Sequence, residues 1–157
     1  MHLIDLLAPS RIRVGVSVTS KKRLLETLAR LLADGHDDDA FERQIFDSLC
    51  GREKLGSTGL GQGIAIPHGR TAGLGTAIGA VVRLAEPVDF GASDGQPVDL
   101  LFALAVPEHF TDQHLQLLSQ LAEMFGDAAF ADHLRAAPSG DALLALLSDW
   151  QLAHAVA

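Results

Sequence analysis

The sequence predicts a single layered α/β domain, and three observations carry that reading. Helix-period apolar runs stand at both ends of the chain, with a block of strand-like segments between them. The length of 157 residues suits one domain, since about 100–150 residues is the commonest size. No uninterrupted apolar stretch approaches the ~20 residues a membrane span needs. The mean hydropathy of +0.22 therefore reflects helices rich in Leu and Ala. The organisation expected is one domain over residues 1–157, without repeats, low-complexity tracts or linkers.

The elements follow in order. Residues 11–18, RIRVGVSV, alternate as a strand does. Ser20 then caps a helix in which Leu24, Leu25, Leu28, Leu31 and Leu32 recur at helical spacing. The acidic run Asp37–Asp39 opens a second helix with Phe41, Ile45 and Leu49 on one face, because carboxylates favour a helix N-terminus through the macrodipole. A glycine-dense segment follows, GREKLGSTGLGQGIAIPHGR, and then two strands, Ala77–Leu84 and Val98–Val106, separated by the turn-rich EPVDFGASDGQ. From Thr111 the chain reads as helices. Thr111 caps a long one through Phe125, a shorter one covers Asp127–Ala136, and Ser139 caps a last one ending near Trp150.

Composition narrows the function. The net charge is −8, from 20 Asp and Glu against 12 Lys and Arg. A field of that sign opposes nucleic-acid backbones and anionic membranes and suits a basic protein partner. Cys50 is the sole cysteine, which excludes a disulfide framework or a Cys-based zinc site within one chain. The N-terminal apolar run is broken by Asp5, Pro9 and Arg11 and makes a poor secretory signal. The cytoplasm is the expected compartment.

The glycine-dense segment suggests phosphate chemistry, yet it matches neither common nucleotide motif. No Lys follows a glycine at the P-loop offset. Gly59, Gly61 and Gly63 give G-x-G-x-G rather than the dinucleotide fingerprint. What stands at its end is His68. Pro67 fixes its own φ and holds Ile66 extended, so the chain enters His68 from a strand end. Gly69 is expected to let the chain turn sharply and leave the imidazole little shielded. A largely neutral imidazole so placed can attack phosphorus. From pattern alone, an ordinary loop histidine beside a strand fits equally well.

Two further residues bear on this choice. Arg52 lies sixteen positions before His68, at the end of the second helix, where a guanidinium can grip phosphoryl oxygens with paired hydrogen bonds. A cation at a helix C-terminus is also common without function. His114, in the first turn of the helix after Thr111, shares a stripe with Leu117, Leu118 and Leu121 and should point inward. A neutral imidazole there can donate to a phosphate near the helix N-terminus; by spacing alone, a satisfied half-buried histidine is the simpler reading. His2, His36, His109, His133 and His154 read as surface residues. A metal site from His36 with Asp37–Asp39 is disfavoured because adjacent residues rarely converge on one ion. A hydrolase built on Ser57 and His68 lacks the G-x-S-x-G elbow. Ser57 and Thr58 are expected to satisfy turn amides.

The stretch REKLGSTGLGQGIAIPHGR closely resembles the active-site signature of IIA proteins of the bacterial phosphotransferase system, mannitol/fructose type, and is most similar to their nitrogen-regulatory branch. QPVDLLFALAVPEHFTDQHLQLLSQLAEMF and LRAAPSGDALLALL extend the similarity over nearly the whole chain. The resemblance implies a mixed sheet flanked by helices on both sides. It implies that His68 accepts a phosphoryl group from a small phosphohistidine carrier protein (HPr- or NPr-like), that His114 supports the group and that Arg52 neutralises its charge. The chain would thus be a phosphotransferase-type phosphoryl carrier with a phosphohistidine intermediate, needing no cofactor or metal. Its partners would include regulated cytoplasmic proteins, such as potassium-transport or kinase regulators.

Two alternatives remain open at this level. One is a sugar-specific fructose or mannitol IIA component passing phosphate to a IIB domain; the start at Met1 and the lack of a fused domain favour the regulatory type. The other is a non-catalytic binding module on the same fold, against which the three intact residues argue.

Overall fold

The computed structural model describes residues 2–36, 38–109 and 112–154. Two short 3-10 turns, Leu3–Leu6 and Pro9–Arg11, lead into β1 (Ile12–Val16). Helices α1 (Lys21–Leu32) and α2 (Asp39–Glu53) follow. The glycine-dense segment then forms three short strands, β2 (Gly59–Gly61), β3 (Ile64–Ala65) and β4 (His68–Thr71). The long strands are β5 (Ile78–Val88) and β6 (Val98–Pro107), and three helices close the chain: α3 (Asp112–Phe125), α4 (Ala128–Ala136) and α5 (Gly140–Ala153).

Local chemistry explains these boundaries. The Ser20, Asp127 and Ser139 side chains accept the amides of Arg23, Phe130 and Ala142, each capping its helix. Asp38, within the acidic run, caps α2 through the amide of Ala40. Thr111, expected to cap α3, lies outside the described residues, as does Asp37. Helix α5 outruns its expected end near Trp150, and β5 continues past Leu84 through Pro87. Pro87 is tolerated because the β5–β6 register shifts between Arg83 and Val88, and an irregular ladder does not need the missing N–H.

The sheet is mixed, in the order β1-β5-β6-β3-β2, with β4 also paired to β6. Strand β6 is the spine: antiparallel to β5 on one side, parallel to β3 and then β4 on the other. Past Asp99, which pairs with Arg135, it is apolar because both its faces are covered. Leu100, Phe102, Leu104 and Val106 meet Leu117, Leu121, Leu134, Leu143 and Leu147 of α3–α5, with Leu3 and Leu6 of the first 3-10 turn. Leu101, Ala103 and Ala105 face the other way, toward Leu24, Leu28 and Leu32 of α1 and Ile45 and Leu49 of α2. Leu31 and Phe41 are only half-buried at the edge of that second layer. The result is a helix–sheet–helix sandwich, with β4 at the sheet margin between α2 and α3. Among the described residues no helix is long and apolar enough to cross a membrane.

Candidate functional site at the start of β4

His68 opens β4, in register with Leu104 of β6. Leu104 faces the α3–α5 layer, and neighbouring residues in a parallel ladder share a face, so His68 is directed toward α3. There it meets His114, with ring centroids 5.2 Å apart. Gly69, one residue on, faces α2. A Cβ at this position would lie 2.0 Å from Ser48 Oγ and 2.8 Å from the Ser48 carbonyl carbon. Gly69 is thus a strand residue whose missing side chain lets α2 lie against β4; it makes no sharp turn. Nor is His68 little shielded, since only 7% of it is exposed. The two expectations fail for different reasons: α2 closes over the strand at Gly69, while His68 is buried on the other face, against His114 of α3.

The polar contacts around His68 define its chemistry. Its Nδ1 lies 2.7 Å from the carbonyl oxygen of Ile66. That oxygen can only accept, so Nδ1 carries the proton and donates, and Nε2 keeps the lone pair. Burial pushes the His68 pKa below its ordinary 6.5; the Ile66 bond opposes this, the Arg52 charge adds to it and Glu53 opposes it again. His114 is also shifted down, first by burial and then by the charges of His68 and Arg70. Its Nδ1 is buried without a hydrogen-bond partner among the described residues. Two largely neutral imidazoles therefore stand side by side at neutral pH, their planes tilted by 52°, one of them with its tautomer fixed by the backbone.

Arg52 lies in the last turn of α2 and donates from Nη1 to the Gly56 carbonyl at 2.8 Å. It lines, with Ser48, Gly51, Leu55, His68, Gly69, Arg70 and His114, an open cleft of about 400 Å³. All three residues singled out from sequence thus share one site. The larger hollow between α1 and α2, about 540 Å³, is lined by residues such as Lys22, Glu26, Arg30 and Asp47 and contains no imidazole.

Sequence reasoning passed over two contributors. Arg70 is the second residue after His68 on the same strand; had 68–71 been recognised as a strand, its alternation would have placed both side chains on one face. Glu53 is the other. Its carboxylate pairs with Lys21 Nζ at 2.8 Å, and it accepts the Thr58 amide and hydroxyl. Thr58 is therefore held by a side chain rather than satisfying a turn amide, because its hydroxyl is buried beside Glu53. Ser57 behaves as expected, accepting the Gly59 amide at 3.0 Å while donating to the Phe90 carbonyl. His2, His36, His109, His133 and His154 are exposed, and no group of three or more ligating side chains gathers among the described residues.

A family model described as phosphoenolpyruvate-dependent sugar phosphotransferase system, EIIA 2, matches residues 5–150. The chain belongs to this family. It is 50% identical over 152 residues to a nitrogen regulatory protein of Pseudomonas aeruginosa, covering 96% of this chain and 97% of that one. It is 43% identical over 138 residues to a nitrogen regulatory protein of Escherichia coli, covering 87% and 83%. Among solved structures, nitrogen regulatory protein IIA-Ntr from Neisseria meningitidis superposes with a TM-score of 0.86 at 44% identity, over 92% of this chain and 98% of that one. The mixed sheet between two helical layers is thus the fold of a phosphotransferase-system IIA protein, and the relatives this IIA chain matches over most of their length carry the nitrogen-regulatory name.

Proposed function

We propose that this IIA protein is a cytoplasmic phosphoryl carrier. It accepts a phosphoryl group on Nε2 of His68 from a small phosphohistidine carrier protein and regulates other proteins according to its phosphorylation state. The observation that supports this most is the Nδ1 hydrogen bond to the Ile66 carbonyl, which reserves Nε2 for attack. The bond from Nε2 to phosphorus forms as the donor's N–P bond breaks, and the electron pair of that bond returns to the donor nitrogen. Charge spreads over three equatorial oxygens in a loose transition state. Arg52 stabilises those oxygens, and His114 donates to them from the opposing helix. As the His68 ring gains positive charge, the hydrogen bond from its Nδ1 becomes charge-assisted and stronger.

The regulatory role draws support from the relatives matched nearly end to end; a sugar-specific role predicts rapid onward transfer to a IIB domain. The test is intact-mass spectrometry at neutral or alkaline pH after incubation with phosphoenolpyruvate, the first phosphotransferase enzyme and its small carrier. One added phosphate is expected, and none in His68→Ala. Phosphorylation of the alanine variant would remove His68 from its role.

A further inference from the structure

The cleft holds a second guanidinium, and its position differs in kind from that of Arg52. Arg70 shares the His68 face of β4 and lines the same cleft. Its backbone is fixed, because Ser48 Oγ of α2 donates to the Arg70 carbonyl at 2.8 Å. Among the described residues its guanidinium is lightly engaged, with one long hydrogen bond, 3.4 Å, from Nη1 to the Glu108 carbonyl. Arg52, by contrast, spends Nη1 on a 2.8 Å bond to Gly56. The two arginines also address different imidazoles, the Arg52 charge acting on His68 and the Arg70 charge on His114. A phosphoryl group on Nε2 of His68 would bring roughly two negative charges at neutral pH, more than one guanidinium offsets.

We propose that Arg70 is a second catalytic cation, which leaves the Glu108 carbonyl to hydrogen-bond the phosphoryl oxygens during transfer to His68. The inference rests on the phosphoryl-carrier reading. It adds no bond-making step: the N–P bonds made and broken are those already described, and Arg70 stays protonated throughout.

Two donors separate its failure from that of the parent reading. One is the phosphoenolpyruvate-charged carrier protein; the other is phosphoramidate, which phosphorylates imidazoles without any protein partner. Full-chain wild type, Arg70→Gln and Arg70→Lys are compared by mass spectrometry against time, and the His114 titration is followed by NMR. Arg70→Gln should slow transfer from both donors by about tenfold or more, the effect of losing one charge-assisted contact in the transition state. Arg70→Lys should recover part of the rate, and the His114 pKa should rise in the glutamine variant. A slower rate with the carrier protein alone would make Arg70 a docking residue and overturn the proposal. Rates within about twofold of wild type with both donors, too small a change for a lost contact, would overturn it as well. Failure of the wild type to take up phosphate from either donor would remove the parent reading instead. Coincident thermal melts would exclude misfolding; a variant with a lowered melt is judged on phosphoramidate below its unfolding transition, where an unchanged rate overturns the proposal.

Discussion

The His68 imidazole owes its character to three neighbours that act in different ways. Burial favours the neutral ring, the Ile66 carbonyl selects the tautomer, and Arg52 adds a cation that the incoming phosphoryl group can use. The rate of phosphorylation should therefore stay level across neutral pH and fall only below the ordinary 6.5, as the depressed His68 and His114 gain protons. A pH profile with phosphoramidate as donor reads this directly. Arg52→Ala should slow transfer by about 10–150-fold, since a charge-assisted hydrogen bond contributes ~1.5–3 kcal/mol. Arg52→Lys should fall between, because an ammonium keeps the charge and loses the planar fork. Both rates come from the same time-resolved mass measurement.

At the scale of elements, the site depends on how closely α2 approaches β4. Gly69→Ala forces a Cβ onto the Ser48 backbone, and overpacking of this kind costs typically ~1–3 kcal/mol. Urea denaturation should show that loss, and transfer should slow with it, because α2 carries Arg52 at its end. The helices and the two long strands were legible in the sequence because their apolar periods and caps agree; Ser20 and Ser139 mark their helix starts to the residue. The short strands β2, β3 and β4 were not. Each has only two to four residues, too few to show a period, so their pairing is dictated by the fold: β3 and β4 add to β6, and β2 to β3. Missing β4 hid Arg70 and gave Gly69 the wrong task. Residue type and motif singled out His68, Arg52 and His114, which the fold brings to one cleft; Glu53 was not legible, because its partners Lys21 and Thr58 come together only in the folded chain.

For the whole molecule, the two depressed histidines couple folding to acidity. The unfolded chain takes up protons on both rings near pH 6.5, while the folded chain resists until lower pH. Stability is therefore complete above that value and declines as pH falls from 6.5 through the lowered folded values. Urea midpoints measured between about pH 7.5 and 5.5 should show this slope, and a double variant, His68→Ala with His114→Asn, should flatten it. An unchanged slope in the double variant would assign the acid sensitivity to the carboxylates.

The group that orients the imidazole of His68 is an atom of the main chain, two residues upstream. Every amino acid supplies the same carbonyl, so no substitution at position 66 deletes the acceptor, whatever happens to the side chain there. Drift in the sequence can reshape the cleft walls, while the tautomer of the His68 ring is inherited unchanged. Only a change that swings the peptide plane itself, such as loss of the rigid ring at Pro67, reaches it.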